Sequence, residues 1–306
     1  MTSEPEDRNL HAEYDRLNQA FYGAEPASYF RTRLNMLVLA ASRGAGIDEL
    51  VEGSKFDVLT VRADPAVQVD PEVTERVVRA YVTTEAHTLR YNASEALVRL
   101  FLAHAATSRC PWAEMAALRG ASALNAYVDK LRGTEPINDA IANVFTGNYP
   151  DVDSEAIQAS ERIIRLAAGF LHDERNLHNA VKHGLGVVVG RTDLQLTRDH
   201  DGETMLALDG PSFVYLESKK AERPKTWDWS ETTSFVELTE TMLMTNLLIN
   251  QIDALWTVAR ARYTSVTIPG VRLVTNAGIE QALAGSPSQE FRQVRFSRGL
   301  WTEHSS

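Results

Sequence analysis

Apolar residues recur at helical spacing along most of this chain and at alternate positions in one stretch only. Two N-terminal segments, about Arg8 to Tyr22 and Ala27 to Arg43, carry the helical period. Leu34, Leu37, Val38 and Ala41 share one side of the second, which Gly44 and Gly46 then end. Residues 47 to 69 are mixed, with Phe56 to Val61 either a short strand or an extended linker. Asp70 as cap, Pro71 at the first helical position, and Glu72 and Glu75 behind them open a long helix to about Ala106, with a break expected near Tyr91-Asn92. Pro111 opens another to about Arg132, broken near Gly120, and Pro136 a short third. Asp153 or Ser154 caps a helix that runs to about His183 and stops at Gly184.

After Gly184 the period changes. Val187 to Val189, Leu194 to Thr197, Met205 to Leu208 and Phe213 to Leu216 read as short strands, with Asp201-Gly202 and Asp209-Gly210 as turns. This predicts a meander of three or four strands between about residues 187 and 232. Ser234 as cap, with Glu237 in the capping-box position, predicts a helix to about Tyr263. Residues 264 to 306 read as irregular. The fold class is therefore mainly α, an up-and-down helical bundle with a small antiparallel β insertion. Residues 1–69 form an N-terminal helical extension, residues 70–263 the bundle, and residues 264–306 an irregular C-terminal segment.

Composition narrows the function. The 306 residues carry 31 Lys+Arg against 41 Asp+Glu, a formal net charge of −10, which argues against indiscriminate binding to nucleic acid or anionic membrane. A single cysteine, Cys110, excludes a disulfide framework and a multi-cysteine metal site. The start is acidic and polar, unlike a secretory signal, and no run approaches the roughly 20 apolar residues of a membrane span. The expectation is a soluble, cytoplasmic protein with no membrane association.

Candidate chemistry concentrates in two places. On one continuous helix, His172, Asn176, Asn179 and His183 fall within about 60° of one another, with Arg165 earlier on the stripe and Arg175 and Lys182 bordering it. Asn and His make directional hydrogen bonds, and His exchanges a proton near neutral pH. The other reading is the solvated face of an amphipathic helix. The second place is His87-x3-Tyr91-x3-Glu95-x3-Arg99, where Tyr91 and Glu95 share a face with Val98 and Leu102. A carboxylate there calls for a partner: Arg175, Lys182 or His183 from a neighbouring helix, or a purely structural buried pair.

The Tyr-x3-Glu with Arg99 following, and the later helix ending Asn179-Ala-Val-Lys-His-Gly184, resemble HEPN-type helical domains over roughly residues 70–263. The resemblance implies a bundle that is usually a homodimer, and a protein of bacterial defence or toxin–antitoxin type, many of which are metal-independent ribonucleases. It implies His183 as acid/base, Arg175 and Lys182 as cations facing a phosphate, Asn179 and Asn176 as orienting groups, and Glu95 as the orienter of one of them. His172, Tyr91 and Arg99 are the accompanying binding residues. The spacing departs from the family: seven residues separate Arg175 from His183, one more than usual, and Leu166 rather than a polar residue follows Arg165. A catalytically silent module for a protein or nucleotide partner, RNA included, is the alternative.

Other signals point elsewhere. His178 and His183 project about 140° apart on a helix, so no metal site is expected, and no cofactor is called for. Gly184 to Gly190 follows a helix and opens a strand, the reverse of a dinucleotide loop. Trp227-Asp-Trp229 beside Arg223 and Lys225 either stacks on bases or closes the sheet.

Overall fold

The computed structural model describes residues 5–46, 55–56, 59–60, 70–118, 121–147, 153–182, 186–197, 200, 204–220, 226–267, 270–284 and 295–304. It is mainly helical with a four-stranded antiparallel sheet. The chain divides into two compact units, each assembled from three stretches: residues 1–32, 89–175 and 242–287 in the first, and 33–88, 176–241 and 288–306 in the second.

Helices α1 (Pro5–Tyr22) and α2 (Pro26–Arg43) come first, then α3 (Pro71–Ala105). The α3 start forms as its residues dictate: the Asp70 carboxylate accepts from the Glu72 N–H at 2.9 Å and Pro71 opens the first turn. The break expected at Tyr91-Asn92 does not occur; neither Pro nor Gly interrupts the ladder there. Helices α4 (Pro111–Ala117), α5 (Ala121–Arg132) and α6 (Asn138–Thr146) follow, then α7 (Ser154–Asp173), capped by Asp153 through the Glu155 N–H at 3.0 Å. The helix expected to reach His183 instead stops at Glu174 (φ −101°, ψ 6°) and restarts as α8 (Arg175–Lys182). Helix α9 (Leu238–Thr264) is capped by Glu237, whose carboxylate accepts from the Thr239 N–H at 2.9 Å. Ser234, the expected cap, lies in a strand opposite Phe213.

The first unit is helical. Leu97, Phe101, Ile141, Phe145, Ile163, Ile164, Leu248 and Ile252 are fully or almost fully buried in its core. Residues 264–306, expected to be irregular, contain α10 (Asn276–Ala284) and a strand.

The second unit holds a two-residue ladder, β1 (Lys55–Phe56) with β2 (Leu59–Thr60), and the sheet β3 (Val187–Thr197), β4 (Thr204–Lys220), β5 (Thr226–Phe235) and β6 (Arg295–His304), in that order. The four short strands of the expectation are two long ones. Asp209-Gly210 is not a turn: Asp209 pairs with Asp193, and its carboxylate takes both prongs of Arg191 across the ladder. The fourth strand is not part of the 187–232 meander but comes from residues 295–304, zipped to β5 from Thr226↔His304 to Ser234↔Arg295. Leu177 and Val181 of α8 pack on Phe213 and Tyr215 of β4. The fully buried His87 ring lies 5.4 Å from Phe213 and 6.3 Å from His178, a core position.

Among the described residues no helix is long and apolar enough to cross a membrane.

Candidate functional site

The expected site residues fall into both units. Tyr91, Glu95, Arg99, His172 and Arg175 belong to the first; Asn176, Asn179 and Lys182 belong to the second. His183, expected to be the acid/base, lies outside the described residues. Because α7 ends at Glu174, the helical projection that aligned His172 with Asn176 and Asn179 does not hold across the two helices.

In the first unit, Glu95 is held by its own helix: Arg99 Nε donates to it at 2.7 Å, and Arg99 also donates to the Leu118 carbonyl. Tyr91 is buried, its hydroxyl 3.5 Å from the Leu171 carbonyl. Burial pushes the Tyr91 phenol up, and the Glu95 and Glu174 charges add to this against Arg175. His172 is exposed, 2.8 Å from Asp173, on a surface that also carries Asp129. Arg165 is committed to structure, donating to the carbonyls of Leu131 (2.7 Å), Gly133 and Glu135 (2.6 Å).

The strongest electrostatic feature here is one the sequence reading missed. Arg90 and Glu174, with side chains 8% and 3% exposed, form a buried ion pair, and the Arg90 guanidinium lies 4.5 Å from the centre of the Phe170 ring. The signal was an Arg inside the apolar run of α3.

In the second unit, an open groove of about 630 Å³ runs between α8 and the sheet. Asn176, Asn179 and Ala180 line one wall; Gly186, Val187 and Val188 close one end; Val214 to Ser218 and Glu231 form the rest. Asn176 and Asn179 are both exposed and three residues apart on α8, so their amides lie on one face. Gly186 permits the tight return from α8: a Cβ there would lie 2.8 Å from the Ala180 carbonyl oxygen. Lys182 is exposed and not among the lining residues. Of the lining side chains Glu217 is buried and Glu231 half-buried, and among the described lining residues there is no Lys or Arg.

A second cavity, about 350 Å³, lies between α3 and β3 with Arg76, Arg79 and Arg191 in its lining. Two of these cations are occupied, Arg79 by Glu75 at 2.5 Å and Arg191 by Asp209, whose carboxyl that bond holds below its ordinary pKa. Among the described residues no group of three or more His, Cys, Asp or Glu is placed to hold a metal ion.

No family model, curated protein or solved structure matches this chain.

Proposed function

We propose that this chain is a binding module for a protein partner, the silent HEPN-like reading rather than the ribonuclease, and that it acts through the α8–β4 groove. One observation carries this: two exposed amides share an open groove with two carboxylates and, among the described lining residues, no cation. A phosphodiester or nucleotide needs Arg or Lys against its phosphate, and the arginines nearest these carboxylates, Arg295 and Arg298, are already paired with Glu217 and Glu231. A peptide unit offers one donor and one acceptor, which an Asn amide matches.

Display of random peptides against the purified chain tests this. Enriched peptides are expected to bind at least tenfold more weakly to the Asn176→Ala/Asn179→Ala variant, and labelled RNA without metal is expected to stay intact. Cleavage of that RNA, lost in Arg175→Ala, would replace this proposal with the ribonuclease.

The same proposal includes a second copy of the chain. Helices α2 and α3 run antiparallel in the second unit, with Arg33 on Glu85 at 2.8 Å and Ala40 and Ala41 sharing a 290 Å³ cavity with Val78 and Val82. On the flank away from that cavity stand Met36 (60% exposed), Leu39, Val73, Val77 (60%) and Tyr81 (53%). By helical spacing Met36 and Leu39 share one side of α2, and Val73, Val77 and Tyr81 one side of α3. They expose on the order of 450 Å² of apolar surface, about the apolar share of one side of a standard interface. Light scattering is expected to show a dimer that Val77→Asp converts to monomer. A wild-type monomer at 100-fold range of concentration would count against it.

A further inference from the structure

The register of the sheet leaves one strand half paired. The last β3–β4 pair is Val187↔Tyr215, yet β4 continues to Lys220, and from Leu216 onward it pairs with β5 on its other side. Among the described residues, the β4 edge from Leu216 to Lys220 therefore has no strand beside it. Every second residue of such an edge turns its N–H and C=O outward, a template for another strand. The groove of Asn176 and Asn179 lies along the beginning of this edge, bordered by Leu216, Glu217 and Ser218.

A second observation points to what would lie there. Glu217 is 6% exposed, and its Oε1 has no hydrogen-bond partner. Its Oε2 accepts from the Thr232 hydroxyl at 3.2 Å; the nearest cation, Arg295, is 3.8 Å from Oε1, too far for a hydrogen bond. A buried carboxylate oxygen left this way is costly, and a charged donor from a ligand would satisfy it. Glu231, the other groove carboxylate, takes a hydrogen bond from Arg298 at 3.3 Å, whereas Glu217 Oε1 has only the longer ion pair to Arg295 and room for a hydrogen-bond donor.

Resting on the groove reading above, we infer that the occupant is an extended segment of a partner protein that adds a strand to β4 at Leu216 to Lys220 and presents a Lys or Arg side chain to Glu217. Main-chain bonds to the β4 edge supply the affinity, and the basic side chain selects the segment and its register. The Asn176 and Asn179 amides hold the exposed side of the bound backbone. The chain's net charge of −10 favours the approach of a basic segment.

The probe is a fluorescein-labelled synthetic copy of the best displayed peptide, followed by anisotropy with the full chain. Three changes are read against it. Replacing its basic residue by norleucine is expected to weaken binding at least tenfold. Glu217→Gln, close in shape, is expected to weaken the original peptide tenfold and the norleucine peptide hardly at all. N-methylation of alternate peptide nitrogens is expected to abolish binding in one frame and to spare it in the other, which no side-chain-only mode produces. A peptide that still depends on Asn176 and Asn179 but ignores N-methylation in both frames would overturn strand addition and leave the groove reading standing. Failure of display to enrich any peptide would overturn both.

Discussion

Arg90→Ala or Glu174→Ala is expected to destabilise the protein by about 3–5 kcal/mol, because each removes one member of a buried ion pair. Both side chains are almost fully enclosed, so solvent cannot take over the lost interaction. The paired replacement Arg90→Met with Glu174→Leu is expected to recover most of that loss, since it removes the desolvation of both charges at once. Urea denaturation of the wild type, the two single alanine variants and the Arg90→Met/Glu174→Leu protein compares these losses. Two single variants that each cost under 1 kcal/mol would show that the pair behaves as a surface bridge. Glu174 also sits where α7 ends and α8 begins. Its loss is therefore expected to let the two helices join, seen as an increase in helical circular dichroism.

The second large effect is on acid stability. His104 is 1% exposed. Its Nδ1–H donates to the Leu100 carbonyl at 2.6 Å, and its Nε2 accepts from the Tyr22 hydroxyl at 2.6 Å, so the ring is held neutral. Burial pushes its pKa down to about 4, with the Leu100 bond opposing and Arg262 assisting. The same burial, with Tyr263 and Cys110 nearby, pushes the Tyr22 phenol up, so it stays a donor. An unfolded chain protonates His104 near pH 6.5, the folded one only near 4. The unfolded state therefore binds more protons in that window. Stability is full above it and falls by about 3 kcal/mol as pH drops from 6.5 to 4. Denaturation of wild type and His104→Gln at stepped pH isolates this, since the carboxylates titrate alike in both. The variant is expected to be less stable at pH 7 and flatter below it; parallel curves would remove His104 from the account.

What could be read from the sequence was what neighbouring residues decide. Asp70 with Pro71, and Asp153, mark helix starts because a cap bonds within three residues of itself. The strands 187–216 show in their alternation. Three of the differences involve partners elsewhere in the chain. Asp209-Gly210 has turn chemistry, but Arg191 across the ladder holds Asp209 in a strand. The helix break at Glu174 contains neither Gly nor Pro, and an ion pair to a residue 84 positions away marks it. The C-terminal strand shows little alternation of its own and is defined by its register with β5. For the site, the sequence places Asn176 and Asn179 on one helical stripe, but the groove they line depends on β4, which no helical projection contains. Glu217 carries no sequence signal, because its burial beside Thr232 and Arg295 is a property of the folded sheet.

The position of β6 has a consequence for how the protein is made. Between Phe235 and Arg295 lie α9 and α10, so β5 leaves the ribosome well before the strand that will cover its outer edge. At typical translation speeds that interval lasts several seconds. Through it the nascent chain carries an uncovered β5 flank bearing Trp227 and Trp229, with Asp228 and Glu231 as the charges that discourage neighbouring polysomal chains from stacking there.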